Sequence, residues 1–381
     1  MTQPAIDNEL TVAPLELFFD LVFVFAITQI AALIHHDLSL LGVARGALVL
    51  AMLYWGWSLF TWTLNSVGTA RLDVRLGLFT AMAMSLLMAR VIPGAFGDEG
   101  LYFAGAYFVF RLIANVTAIR TENPETRTAQ WTTFIPLTMV GSIVALAGGF
   151  VDDPWRSWIW LASLAIDLIA ARAAQRADFH IQPRHFAERY GLLVIIALGE
   201  SIVAIGAGLT EVDVDLTLGL TLIVAFAATA TLWWSYFHWV ADRVEHHLTA
   251  LKGTERGAFA RDAYTFLHYP LVTGIVLFAV AVEEIVVRPM EHAEVFTRAL
   301  LASGFSLVLL SFVGSAYRAL RLIPVLRLGA AGLVVVLSLV AWAIPGIWLL
   351  ALNAGLILIM LMAESKLRGR TRLDEEEGAN T

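Results

Sequence analysis

The chain has 381 residues, of which 59% are hydrophobic and 15% charged, with a mean hydropathy of +0.75. Soluble domains carry about 25% charged residues, so this composition excludes a soluble globular fold of this size. A net charge of −7 excludes a basic nucleic-acid surface, and the absence of cysteine excludes disulfides, thiolate catalysis and Cys-ligated metal.

The first fourteen residues hold no Lys or Arg, so the basic start of a cleaved leader is missing. The first apolar stretch is therefore expected to be retained as a helix. A bilayer core about 30 Å thick needs about 20 mostly apolar residues per helix. Such runs fall near 15–35, 44–67, 74–92, 99–118, 131–150, 155–172, 188–209, 216–240, 262–286, 297–317, 323–341 and 344–364. The expected fold is an all-α integral membrane protein with about twelve transmembrane helices. The longest connections, 173–187 and 241–261, are polar and contain His and Arg. Nineteen of the 25 basic residues fall on the side of the N-terminus, five on the other, and Arg111 lies within a span. The positive-inside rule then predicts that both termini are cytoplasmic.

An internal duplication is visible. Trp57-Ser58-Leu59-Phe60-Thr61-Trp62 and Trp234-Ser235-Tyr236-Phe237-His238-Trp239 both read W-S-x-F-x-W near the same end of a span. The preceding spans align without a gap, with Glu16-Leu17-Phe18 over Glu188-Arg189-Tyr190, Leu21-Val22 over Leu193-Val194 and Ile30 over Ile202. The expected organisation is two parallel six-helix repeats, 1–172 and 188–364, joined by a cytoplasmic linker, 173–187, and followed by a tail, 365–381. Six is an even number, so the halves would share one orientation, related by an axis along the membrane normal.

Two segments carry a resemblance. Pro14-Leu15-Glu16-Leu17-Phe18-Phe19-Asp20-Leu21-Val22-Phe23-Val24-Phe25-Ala26 and the stretch from His185-Phe186-Ala187-Glu188-Arg189-Tyr190-Gly191 through Ala197-Leu198-Gly199-Glu200-Ser201 resemble the bacterial low-temperature-requirement A (LtrA) family. The resemblance covers almost the whole chain. It implies a multipass protein of the bacterial cytoplasmic membrane without a settled activity. A fainter likeness, of Phe18-Phe19-Asp20 to a Phe-Ser-Asp in two-repeat six-helix potassium channels, keeps a cation-channel alternative open.

Ionisable groups inside spans mark a pathway or a structural pair. They are Asp20, Arg111, Asp167, Glu200, His268, Glu283 and Glu284, with Glu16 and Glu188 at the entrances. Glu16 and Asp20 are four apart and share one helix face. For Asp20 the alternative to transport is an interhelical bond that fixes packing. In the aligned half, Asp20 meets Leu192, and Arg111 falls near Leu309 or Phe312. The second half lacks both charges, so Asp20 and Arg111 are expected to pair with each other. Glu200 lies twelve residues beyond Glu188, about 18 Å along a helix and so near mid-bilayer. This reading assigns it no basic partner and makes it, with Ser201, a proton-coupling candidate. The flanking Gly199, Gly206 and Gly208 permit close helix approach or local unwinding.

His180, His185, His238, Asp242, Glu245, His246 and His247 fall on the expected cytoplasmic face. Their spacing fits no single helix face, so no metal and no cofactor are expected. With no Gly-rich phosphate loop, any transport is expected to be secondary or passive. The lead reading is a secondary transporter or ion-translocating protein with a small ion or molecule as substrate. No catalytic residue is assigned, the lipid bilayer is the expected surrounding, and a homo-oligomer is compatible. A membrane enzyme or stress-related sensor using the histidine group is the alternative from another class.

Overall fold

The computed structural model describes residues 12–120, 127–128, 130–174, 181–209 and 215–379. The fold is all-α, with 86% helix and no strand among the described residues. Helices α1 to α4 span Pro14–His36, Leu40–Val67, Leu72–Val91 and Gly100–Ala118. A π-helical turn, Gln130–Phe134, leads into α5, Ile135–Gly148, and α6 spans Trp155–Ala173. Helix α7 runs Pro183–Leu209. Helix α8, Leu216–Ser235, passes through a π turn at Tyr236–Val240 into α9, Ala241–Ala250. Helix α10, Gly253–Phe259, joins α11, Leu267–Val287, through Ala260–Phe266 in the same way. Helices α12 to α14 are Val295–Leu320, Val325–Val340 and Gly346–Ala379.

These helices coincide with the apolar runs because a bilayer leaves only intrahelical hydrogen bonding for a spanning backbone. Among the described residues, ten helices are long and apolar enough to cross a membrane. Two expected spans fall short. Helix α6 is 19 residues long but carries Arg156, Asp167 and Arg172, and α13 is apolar but only 16 residues long.

The chain divides into two compact units, Met1–Ala197 with Arg243–Tyr269, and Leu198–Asp242 with Pro270–Thr381. In the first, α1 packs on α2 and α3, α4 on α2, α3 and α5, and α6 on α2 and α5. Phe19, Phe23, Phe60 and Phe110 form its aromatic centre. A Cβ on Gly56 would lie 2.5 Å from the Phe110 ring, so glycine sets how closely α2 and α4 approach. In the second unit α14 packs on α8 and α13, and α13 on α12. There Gly274 and Gly304 let α11 and α12 touch backbone to backbone, since a Cβ on either would lie within 3 Å of the other's carbonyl oxygen.

Each unit holds a fully buried guanidinium clasped by a carboxylate. Arg111 on α4 donates from Nη1 and Nη2 to the two oxygens of Asp167 on α6, both at 2.7 Å, with neither side chain exposed. Tyr107 and the Thr138 carbonyl accept further bonds from it. Arg327 on α13 donates from Nε and Nη2 to Glu364 on α14 at 2.8 and 3.0 Å, and from Nη1 to Ser235. Between α5 and α6, Asp153 binds Arg45 and Ser157. Burial alone would raise the Asp153 carboxyl, but the Ser157 hydroxyl and the Arg45 guanidinium outweigh it and hold it below the usual range.

The expected Asp20–Arg111 pair is therefore wrong. Arg111 spends both terminal nitrogens on Asp167, which the duplication argument did not consider as a partner. Removing one member of a buried pair costs about 3–5 kcal/mol, so Arg111→Gln and Asp167→Asn should each lower the unfolding midpoint sharply, and their combination should be milder than their sum. Arg111→Gln and Asp20→Asn should instead add. Thermal unfolding of the detergent-purified variants measures both.

Candidate functional site

The two segments singled out in the sequence meet in the first unit. On α1, Glu16 and Asp20 stand one turn apart and are about 2% exposed. On α7, His185 and Arg189 have the same spacing, and they are 3% and 0% exposed. The two ladders face each other. Arg189 Nη1 donates to Glu16 Oε2 at 2.9 Å and Nη2 to Asp20 Oδ1 at 2.6 Å. His185 Nε2 lies 2.8 Å from the same Glu16 Oε2. Helix α2 supplies the third wall, with Trp57 Nε1 donating to Asp20 Oδ1 at 2.7 Å and the Arg189 guanidinium 5.7 Å from the Trp57 ring centroid. Asp20 Oδ2 and Arg189 Nε are buried without a hydrogen-bond partner among the described residues.

Next to this cluster lies a group of hydroxyls. Tyr190 OH is 3.0 Å from Ser58 Oγ and 2.8 Å from Thr265 Oγ1, and Trp62 Nε1 donates to Thr265 Oγ1 at 2.9 Å. Tyr54 donates to the Thr265 carbonyl at 2.7 Å. Tyr54 and Thr265 also line an apolar cavity of about 560 Å³, together with alanines 44, 47 and 51 of α2 and leucines of α6. The first W-S-x-F-x-W motif thus divides its work: Trp57 serves the charged cluster, and Ser58 and Trp62 serve the hydroxyl group.

Of the sequence candidates, Glu16 and Asp20 belong to the cluster, whereas Arg111 is committed elsewhere. Glu188 is half-buried and pairs with Arg184 at 3.3 Å. Glu200 and Ser201 belong to the second unit. Glu200 is buried and has interactions of its own, and Ser201 Oγ is buried with no hydrogen-bond partner among the described residues. His185 leaves the histidine group and joins the cluster. His180 lies outside the described residues, and His238 and His246 are exposed. Among the described residues no three His, Cys, Asp or Glu side chains converge as metal ligands would.

Sequence reasoning gave Arg189 no role and placed His185 in the histidine group of the cytoplasmic face. Their four-residue spacing, matching that of Glu16 and Asp20, was the available signal.

The model of the bacterial low temperature requirement A protein (LtrA) family matches residues 11–363. The chain belongs to the LtrA family. An uncharacterized protein of Rhizobium meliloti (strain 1021) is 32% identical over 293 residues, which cover 72% of this chain and 70% of that protein. No solved structure matches the chain. In this LtrA protein the site is thus built from the two segments that carried the resemblance.

Trp57→Phe keeps an aromatic ring but removes one of the two donors to Asp20 Oδ1, leaving Arg189 as its donor, and a lost hydrogen bond to a charged group costs about 1.5–3 kcal/mol. Arg189→Lys replaces a fork that reaches two carboxylates with one ammonium. Both variants should unfold at lower temperature in detergent, Arg189→Lys by the larger shift. Equal midpoints for Arg189→Lys and the parent would remove the shared guanidinium from the account.

Proposed function

We propose that this LtrA protein is a secondary transporter or ion-translocating protein, and that the α1–α7 cluster is where it holds the translocated or coupling ion. The observation that carries this reading is the charge ratio at the cluster. Two buried carboxylates face one guanidinium, and one carboxylate oxygen has no partner. In an apolar medium such a group attracts a proton or a cation, and its binding energy can favour one conformation over another. Glu200 and Ser201 form a second candidate in the other unit, because Glu200 is buried and the Ser201 hydroxyl is unmatched.

The same reading takes α6 and α13 as spans, which gives twelve crossings in two parallel six-helix repeats and places both termini in the cytoplasm of a bacterial inner membrane. The Arg111–Asp167 clasp supports the first addition, since it removes the charge penalty that keeps α6 from ranking as apolar. A reporter active only in the cytoplasm, fused after Thr381, should be active. A silent fusion present in the membrane would break the twelve-span count.

The function is tested with full-length protein in liposomes, scanning monovalent cations with and without a pH gradient. The parent should show flux of at least one ion. Asp20→Asn and Glu16→Gln should each lower that flux at least tenfold while still reconstituting. Glu200→Gln reads the second candidate in the same assay. Parent liposomes indistinguishable from empty ones across the panel would sink the transport reading.

A further inference from the structure

The hydrogen bonds around His185 identify the ion that the cluster takes. The decisive residue is Asn65, near the end of α2 and 1% exposed. Its Oδ1 accepts from the Gln182 backbone N–H at 2.7 Å, and its Nδ2 donates to the Gln182 carbonyl at 3.2 Å. A backbone N–H can only donate and a carbonyl can only accept, so these two bonds fix which end of the Asn65 amide is which. The second hydrogen on Nδ2 then points to His185 Nδ1, 2.9 Å away. His185 Nδ1 is therefore an acceptor, and the ring hydrogen sits on Nε2, where it is donated to Glu16 Oε2. Held this way, the imidazole carries one N–H and no charge.

That result settles the local charge count. His185 does not neutralise Glu16, and Arg189 alone faces both carboxylates. Helix α2 contributes Asn65 and Trp57 to the cluster, neither of which titrates. Helix α3, which also packs on α1, keeps Asp73, Arg75 and Arg90 on exposed surface. Arg184 and Glu188 of α7 bond to each other. Arg261 and Asp262 pair likewise, and the His268 ring packs on those of Tyr190 and Tyr264. A metal cation is a poor fit, because its site would lie beside the Arg189 guanidinium and, among the described residues, no third carboxylate converges there.

We infer that the ion held by the cluster is a proton, shared between Glu16 and Asp20, with Asn65 as the positioning residue that keeps His185 a neutral donor. This rests on the ion-binding reading above and names its ion. On protonation one proton moves from water to a carboxylate oxygen, and the four-residue cluster becomes neutral. On release it carries one negative charge that only a hydrated, opened state can hold at low cost.

Infrared difference spectra of the full-length purified protein in H₂O and D₂O test this without any transport assay. One protonated carboxyl band that shifts on deuteration should be present in the parent. It should vanish in both Asp20→Asn and Glu16→Gln, because either change leaves one carboxylate against one guanidinium. Nitrogen-15 signals of His185 in the parent should show one protonated and one bare ring nitrogen. Asn65→Asp, which offers Nδ1 an acceptor instead of a donor, should convert His185 to the doubly protonated ring and abolish the carboxyl band. A doubly protonated His185 in the parent, or a band that survives both carboxyl variants, overturns the assignment. If the variants do not fold, the parent's His185 signals and its band still decide it. A parent with the band and the neutral ring but no flux keeps the proton site and removes the transport reading. Flux together with a charged ring removes the proton assignment alone.

Discussion

Everything in the first unit's centre depends on one guanidinium shared between two carboxylates where water is excluded. An ion left unpaired there costs several kcal/mol, so α1 and α7 can associate only in the register that brings Arg189 between Glu16 and Asp20. Both helices place their polar groups one turn apart, and a slide of one turn, about 5.4 Å, would leave a charge facing hydrocarbon. Trp57 then orients α2, because its indole N–H must reach Asp20. Asn65 ties the same helix to the backbone just before α7 through Gln182. Three helices and one connection are positioned by a handful of bonds. The aromatic packing of Phe19, Phe60 and Phe110 fills what those bonds have already aligned.

The two W-S-x-F-x-W motifs show how one pattern serves different physics. Trp57 is fully buried and donates to an acid, whereas Trp234 at the matching place is half exposed. The sequence position aligned with Asp20 is Leu192. Ser235 takes a different task, accepting from Arg327 with its hydroxyl and its carbonyl. The two motifs read alike in sequence, while the polar contacts made at them differ.

Much of the fold was legible because bilayer physics is strict. An apolar run of about 20 residues has only one way to satisfy its backbone, and a helix lies at each expected position. Helix α6 looked weaker by composition for the reason that makes it informative: Asp167 is tolerated only because Arg111 meets it. Which charge meets which was not legible. Arg111 and Asp167 are 56 residues apart, and their contact follows from the rotation of α4 and α6 about their axes, which no spacing rule supplies. Joint absence from the second half offered no means of ranking Asp20 against Asp167 as the partner of Arg111. Glu16 and Asp20 could be placed on one face by their four-residue spacing. Their partners could not, because the count that put Arg189 among the loop charges treated a basic residue near a helix start as solvated.

The contrast between the two fully buried pairs and the α1–α7 cluster bears on the proposed function. Arg111 with Asp167 and Arg327 with Glu364 are each one cation to one anion, joined by two parallel bonds. A packing device needs no more than that, and apolar side chains of similar volume often do as well. The α1–α7 cluster has two anions to one cation, an imidazole held as a donor by Asn65, and a carboxylate oxygen left over. Adding the fourth residue as a cation would have balanced it, and the Asn65 amide prevents that. Such an imbalance is what the proposed binding and release of a charge would use. The same chain builds balanced pairs elsewhere, and that contrast is what supports the proposal that the surplus at Glu16 and Asp20 serves an ion.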